Sequence, residues 1–309
     1  MSRFLLRRVL IAPLVLLALV SATFFLIRLA PGSPFSGERE FPPETERALM
    51  ARYRLDRPVG VQYLHFLGGL ARGDLGPSLK HRGRSVNEII AAHLPVSACL
   101  GTLALVAALG GGVAAGMAAA LRARRWLDYA VMSAAVLGIS LPVFVIGPLL
   151  QMGLARTWKL FPVSGLGTWR HLVLPAVALA LPFTARIARL TRAGFIEVLN
   201  EPFIRTAQAK GLRAHTILLR HALRGGILPV VSYLGPAVAS ITTGSLVVER
   251  VFAIPGLGRE FIESALNRDY TLVMGTVIVY GAMIVLCNLA TDLLYGVLDP
   301  RVRASRGGP

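Results

Sequence analysis

The chain is poor in acid, in cysteine and in charge of either sign. Among 309 residues there are 16 aspartates and glutamates against 33 lysines and arginines, and only 16% of positions are charged. Cysteine occurs 2 times, at Cys99 and Cys287, both inside apolar runs and without CxxC or CxxH spacing. That usage excludes a disulfide framework and a cysteine metal site, and both residues read as small packing residues. The GxxxxGK[ST] phosphate loop is missing, so ATP hydrolysis is not expected of this chain. HExxH and GxSxG are missing too, and no pair of carboxylates falls within an apolar run. No catalytic residue, metal ligand or cofactor site is therefore expected. Gly256-Leu257-Gly258 reads as a turn, not a nucleotide site, and His93, His171, His215 and His221 read as solvated or interfacial.

What is present in excess is apolar sequence. Over half of the residues, 54%, are hydrophobic, which points to a polytopic, all-α membrane protein. The net charge of +17 sits at the ends of apolar runs, with no continuous basic face interleaved with aromatics. That placement follows the positive-inside rule rather than nucleic-acid binding. A bilayer core takes about 20 apolar residues per helix. Six segments meet that length, at 9–29, 97–120, 129–154, 171–190, 228–248 and 272–296. The fourth is the weakest, interrupted by Pro175, Pro182 and Arg186; Arg186 and Arg189 are expected to snorkel at its inner end. The first resembles a signal peptide in its arginines but is too long for one and lacks a convincing cleavage site, so it reads as an uncleaved span.

Six spans put both termini on one side. Arg3, Arg7 and Arg8, the triplet Arg122, Arg124 and Arg125, the 191–227 loop and Arg301, Arg303 and Arg306 place that side in the cytoplasm. Three regions follow: 1–29, the N-terminus and first span; 30–96, an extracytoplasmic segment; and 97–309, five spans with the cytoplasmic loop. Within 30–96, residues 42–55 have helix-start chemistry and an amphipathic run, and Asp74 and Ser78 read as turn caps. Asp292 reads as a partner for a basic residue of the inner loop. Glu249 and Arg250, closing the fifth span, read equally as a partner contact or pore cap and as plain surface.

The loop is the most informative stretch. EPFIRTAQAKGLRAHTILLRHALRGGILP, residues 201–229, reads as a short helix, a glycine break and a second short helix. Asn200 is expected to cap the first helix, Pro202 to occupy its first turn and Gly211 to end it in the left-handed region. Phe203, Ala207 and Lys210 are expected on one face, with Thr206 and Ala209 beside it. In the fifth span, a face of Ser240, Thr243 and Gly244 is a candidate pore lining, with helix packing as the equal alternative. Gly110, Gly111, Gly112 and Gly116 of the second span read as packing glycines.

The loop resembles the cytoplasmic coupling loop of ABC-importer permeases, and its RTAQAKG wording is similar to the dipeptide and oligopeptide branch. Anchored on Gly211, the superfamily's Glu-Ala-Ala falls on Arg205, Thr206 and Ala207. Its Ile and Leu-Pro fall on His221 and on Leu223 and Arg224. Three further stretches resemble the same family: LDRPVGVQYLHFLGGLARGDLGPSL after the first span, 247–275 between the last two spans, and NLATDLLYGVLDPRVR at 288–303.

The resemblance implies a six-helix type I importer permease in the bacterial inner membrane. It would lie in membrane lipid with a second homologous permease, two ATP-binding subunits and an extracytoplasmic solute-binding protein. Glu201, Phe203, Arg205, Thr206, Ala207, Ala209, Lys210, Gly211 and Leu212 would carry the ATPase contact. Peptides are the expected cargo, with nickel complexes and glutathione as alternatives within the family. Two rival classes stand beside it: an ion-driven secondary transporter, which would want midspan ionisable residues and inverted repeats that are not evident, and a non-transporting membrane scaffold whose basic loop recruits a cytoplasmic protein.

Overall fold

The computed structural model describes residues 2–29, 42–81 and 83–298, with side chains outside the description at 2–8, 43, 243, 244 and 292–298. The described residues are helical, with no strand among them and one isolated bridge between Pro77 and Ser85. The first long helix is α1 (Ser2–Leu29), followed by α2 (Pro43–Arg52) and α3 (Val59–Leu70). The core helices are α4 (Val86–Leu121), α5 (Trp126–Ser140), α6 (Val143–Leu150) with a π-helical continuation to Thr157, and α7 (Arg170–Leu199). The loop holds α8 (Pro202–Ala209), the single turn α9 (Ala214–Thr216), a π-helical stretch Ile217–Ala222, and α10 (Leu223–Gly226). The chain continues through α11 (Leu228–Val251), α12 (Leu257–Leu266) and α13 (Tyr270–Leu298).

Five helices are long and apolar enough to span a membrane, and α5 with α6 and its extension makes a sixth apolar unit. That sixth unit differs from the straight 129–154 span expected. Its halves are bent by 106° at Leu141 and Pro142. Leu141 is extended (φ −84, ψ 122), because the proline ring disfavours helix at the residue before it. Pro175 and Pro182 leave α7 continuous, and Pro236 does the same in α11. The second span also begins earlier than expected. Ser85 and Glu88 form a reciprocal capping box that starts α4 at Val86 instead of 97.

The core lies between α4, α7 and α11, with Leu100, Leu179 and Ile187 fully buried. Glycine makes the closest crossing possible. A Cβ on Gly112 would stand 2.7 Å from Ile187 Cβ, and one on Gly116 would stand 2.6 Å from Thr191 Cβ and strike the Ala188 carbonyl. Both glycines therefore serve α4–α7 contact, as expected, whereas Gly110 faces nothing within 4 Å. Cys99 is exposed rather than packed, and Cys287 is half-buried.

Candidate functional site

The loop hangs from the end of the bundle where α4 stops and α7 ends. Asn200 does not cap α8; it closes α7, its amide donating to the Ile196 carbonyl at 2.7 Å. Glu201 takes the N-cap position of α8 with extended backbone (φ −69, ψ 147), and its carbonyl accepts from the Ile204 N–H at 3.1 Å. Pro202 occupies the first turn, where its missing N–H costs nothing. At the far end Gly211 has φ +75. The Leu212 N–H reaches the Ala207 carbonyl at 3.3 Å and the Gly211 N–H reaches Gln208 at 2.9 Å, a Schellman ending.

Two side chains hold α8 to the bundle. Ile204 is fully buried and Ala207 nearly so, in an apolar cluster with Ala120 of α4, Phe195 of α7, Ile217 and Ala222. The expected face of Phe203, Ala207 and Lys210 is thus split. Ala207 points inward with Ile204, while Phe203 (48% exposed) and Lys210 point outward. Glu201, Arg205, Thr206, Ala209, Gly211 and Leu212 are exposed as well. The residue that sequence reading missed is Ile204, although its spacing of three from Ala207 is a signal of one buried face. A second glycine contact fixes the root of the loop: a Cβ on Gly194 would strike the Gly226 carbonyl.

An ion pair sits just above. Asp128, 2% exposed at the start of α5, takes Arg192 of α7 in a two-pronged contact at 2.5 and 2.7 Å. Its second oxygen also accepts from the Arg124 N–H at 2.9 Å, where Arg124 turns the chain with φ +63. This clasp ties the α4–α5 turn to α7 three residues before Phe195, and no local pattern announces a pair 64 positions apart.

The far end of the bundle is built from buried carboxylates. Glu249 is neither a surface nor a pore-cap residue: it is fully buried, and its Oε2 accepts from the Gly258 N–H (2.8 Å) and the Arg259 N–H (3.2 Å) at the start of α12. Arg250 is exposed. The turn expected at Gly256-Leu257-Gly258 is instead a helix start, with Gly256 as the N-cap of α12 and Leu257 and Gly258 in its first turn, and a Cβ on either glycine would strike the Glu249 carboxylate. Asp74 caps its own turn through Gly76 at 2.9 Å. Ser78 receives His81 at 2.9 Å and donates to Asp269, which also takes the N–H groups of Leu79, Lys80 and Leu272.

Of the histidines, His93 is only part-exposed and lies 3.4 Å from Glu260, His171 is also part-exposed, and His215 is exposed. No group of three possible metal ligands occurs among the described residues.

On α11, Ser240 is exposed, and the side chains of Thr243 and Gly244 lie outside the description, as does that of Asp292. The opposite face, with Thr242 and Ser245, borders a cavity of about 280 Å³ toward α4 and α13. Both hydroxyls there donate to their own helix, to Val238 (2.7 Å) and Thr242 (2.8 Å). Arg186 and Arg189 are exposed, and Arg186 reaches the Tyr233 hydroxyl at 3.3 Å.

Residues 112–304 match the family described as binding-protein-dependent transport system inner membrane component, and residues 1–100 match that family's N-terminal membrane component. The chain belongs to this family. It is a multi-pass inner-membrane component of the binding-protein-dependent type. It is 48% identical over 305 residues to the oligopeptide transport system permease protein OppB of Salmonella typhimurium, covering 98% of this chain and 100% of the relative. It is 44% identical over 311 residues to the dipeptide transport system permease protein DppB of Bacillus subtilis, with both chains covered in full. The fold also resembles a solved amino acid ABC transporter chain, with a TM-score of 0.51 at 16% identity over 70% of this chain and 94% of the other. The all-α permease architecture expected from sequence is thus borne out.

Proposed function

We propose that this permease forms half of the translocation pathway of an ATP-driven importer for peptides. It would pair with a second homologous permease, two ATP-binding subunits and an extracytoplasmic solute-binding protein. The observation that carries the coupling reading is α8. It is a helix of eight residues, started by Pro202 and stopped by Gly211, anchored by Ile204 and Ala207, with its remaining side chains turned outward. Such a knuckle fits the groove of a partner. Peptide as cargo follows from the names carried by the relatives of 44–48% identity. The arginine-rich loop end faces the cytoplasm with both termini, and 30–96 faces outward.

The mechanism is a two-state gate. Closure of the ATPase pair displaces α8, and the apolar cluster around Phe195 together with the Asp128–Arg192 clasp passes the displacement to α4, α5 and α7. ATP acts by favouring one global state over the other. Ser240, Thr243 and Gly244 of α11 line the path in this reading, and Ser240 is exposed.

The test is ATPase activity of the reconstituted importer with Lys210→Glu and Gly211→Pro. Both are expected to abolish substrate-stimulated hydrolysis while leaving membrane insertion intact. Normal peptide uptake by both variants would remove the coupling role.

A further inference from the structure

At the end of the bundle away from α8 lies a cavity of about 250 Å³. It is enclosed by the last turn of α1, the end of α2, α3, the turn at 74–79 and the start of α13. Three arginines, Arg28, Arg52 and Arg54, stand in its wall, with His65 beside them. Asp74 is the one carboxylate among the described lining residues, and its Oδ1 is already engaged by the Gly76 N–H at 2.9 Å.

Arg28 is the central group. Its Nε donates to Gln62 Oε1 at 3.0 Å, and its guanidinium lies 4.7 Å from the Phe24 ring centre and 5.4 Å from that of Tyr270. Its Nη1 is buried with no hydrogen-bond partner. A buried donor left unmade costs on the order of 1–3 kcal/mol, and more when it belongs to a charge. Arg54 adds to this. It holds the position after the end of α2 with φ +56, where glycine is usual, and its Nη1 meets His65 Nε2 at 2.7 Å. Among the described residues three guanidinium groups share this wall with one carboxylate, an excess of positive charge that suits an anion with several acceptor oxygens.

We infer that this cavity binds the phosphate of an anionic phospholipid headgroup. Guanidinium forks match phosphate oxygens in charge and spacing. Two of the bounding helices, α1 and α3, present apolar side chains to their surroundings: Leu26 is 67% exposed, Leu29 79% and Leu64 69%. Acyl chains cover such surface, whereas a soluble anion leaves it bare. The cavity also stands where α1 ends, at the level at which a spanning helix meets headgroups. This site is independent of the coupling role assigned to α8.

The test is native mass spectrometry of the delipidated full complex. The probes are dioleoyl phosphatidylglycerol, dioleoyl phosphatidylcholine and inorganic phosphate, each offered to wild type, to Arg28→Gln and to the rim variant Arg52→Gln/Arg54→Gln. Wild type is expected to retain phosphatidylglycerol over phosphatidylcholine, undiminished by excess inorganic phosphate. Each variant should lose about tenfold in that retention, the worth of one charge-assisted hydrogen bond. The rim variant keeps the buried Arg28 contacts, so it reads the site even if Arg28→Gln fails to fold. Equal retention of both lipids with displacement by phosphate would overturn the lipid in favour of a soluble anion. Unchanged retention in the rim variant would overturn the site. Loss of solute-binding-protein association in the variants, with lipid retention unchanged, would make it a protein contact instead.

Discussion

The short helix α8 at one end of the bundle and the starts of α12 and α13 at the other are fastened by different physics. At the end where α11 stops and α13 starts, two buried carboxylates set the helix starts: Asp269 gathers Ser78, Leu79, Lys80 and Leu272, and Glu249 gathers Gly258 and Arg259. At the loop end α8 is held by Ile204 and Ala207 in an apolar cluster, while its polar side chains point away. Hydrogen bonds to a buried carboxylate are directional and break if a helix rotates. Apolar burial is non-directional and survives a tilt. The carboxylate contacts fix the orientation of α12 and α13, whereas the attachment of α8 tolerates a tilt.

The sharpest way to break that contrast is Asp269→Ala. It strips the acceptor from five buried or half-buried donors, the Thr271 hydroxyl included, and is expected to cost about 3–5 kcal/mol. Thermal unfolding of the detergent-solubilised chain reads this directly, and an unchanged melting point would mean the fastening is not energetic.

Ile204→Ala addresses the other end. Emptying its site is expected to cost about 2–5 kcal/mol, spent locally on releasing α8. Protease cleavage near 201–212 should rise while the main melting transition stays in place. A shift of the whole transition instead would show the loop to be part of the same rigid unit.

Gly116→Leu tests whether α4 and α7 tolerate separation, with about 1–3 kcal/mol of overpacking expected in the same melt. Asp128→Asn should cost less, about 1 kcal/mol, because the Arg192 side chain is 30% exposed and screened. A double-mutant cycle with Arg192→Gln measures it, and zero coupling would remove the clasp from the transmission route. Phe203→Ala comes last. At 48% exposure it should change stability by less than about 0.5 kcal/mol yet lower ATPase stimulation in the assembled importer. Full stimulation would take Phe203 out of the docking face.

Legibility followed the range of the interaction. Pro202 and Gly211 could be placed because a proline at a helix start and a left-handed glycine at its end are properties of one residue and its neighbours. The inward turn of Ala207 with Ile204, away from Phe203, was missed because eight residues hold barely two turns, too few for a period to pick the buried face. Prolines show the same limit. Pro142 breaks its helix while Pro175, Pro182 and Pro236 do not, and the sequence around each is similarly apolar. The burial of Glu249 was not foreseen because the N–H groups it serves lie across a turn.

Composition and apolar length by themselves determined that this is a helical, membrane-spanning chain, since lipid leaves the backbone no other means of satisfying its hydrogen bonds over such runs. Local motifs determined where α8 begins and ends, and the wording of the loop pointed to the permease family. Tertiary structure decided which face of α8 is buried and which is exposed, which prolines bend and which carboxylates are buried. It also brought Asp128 to Arg192 and three arginines around one cavity. Those outcomes depend on pairs far apart in the chain, and only packing brings their atoms within hydrogen-bond distance.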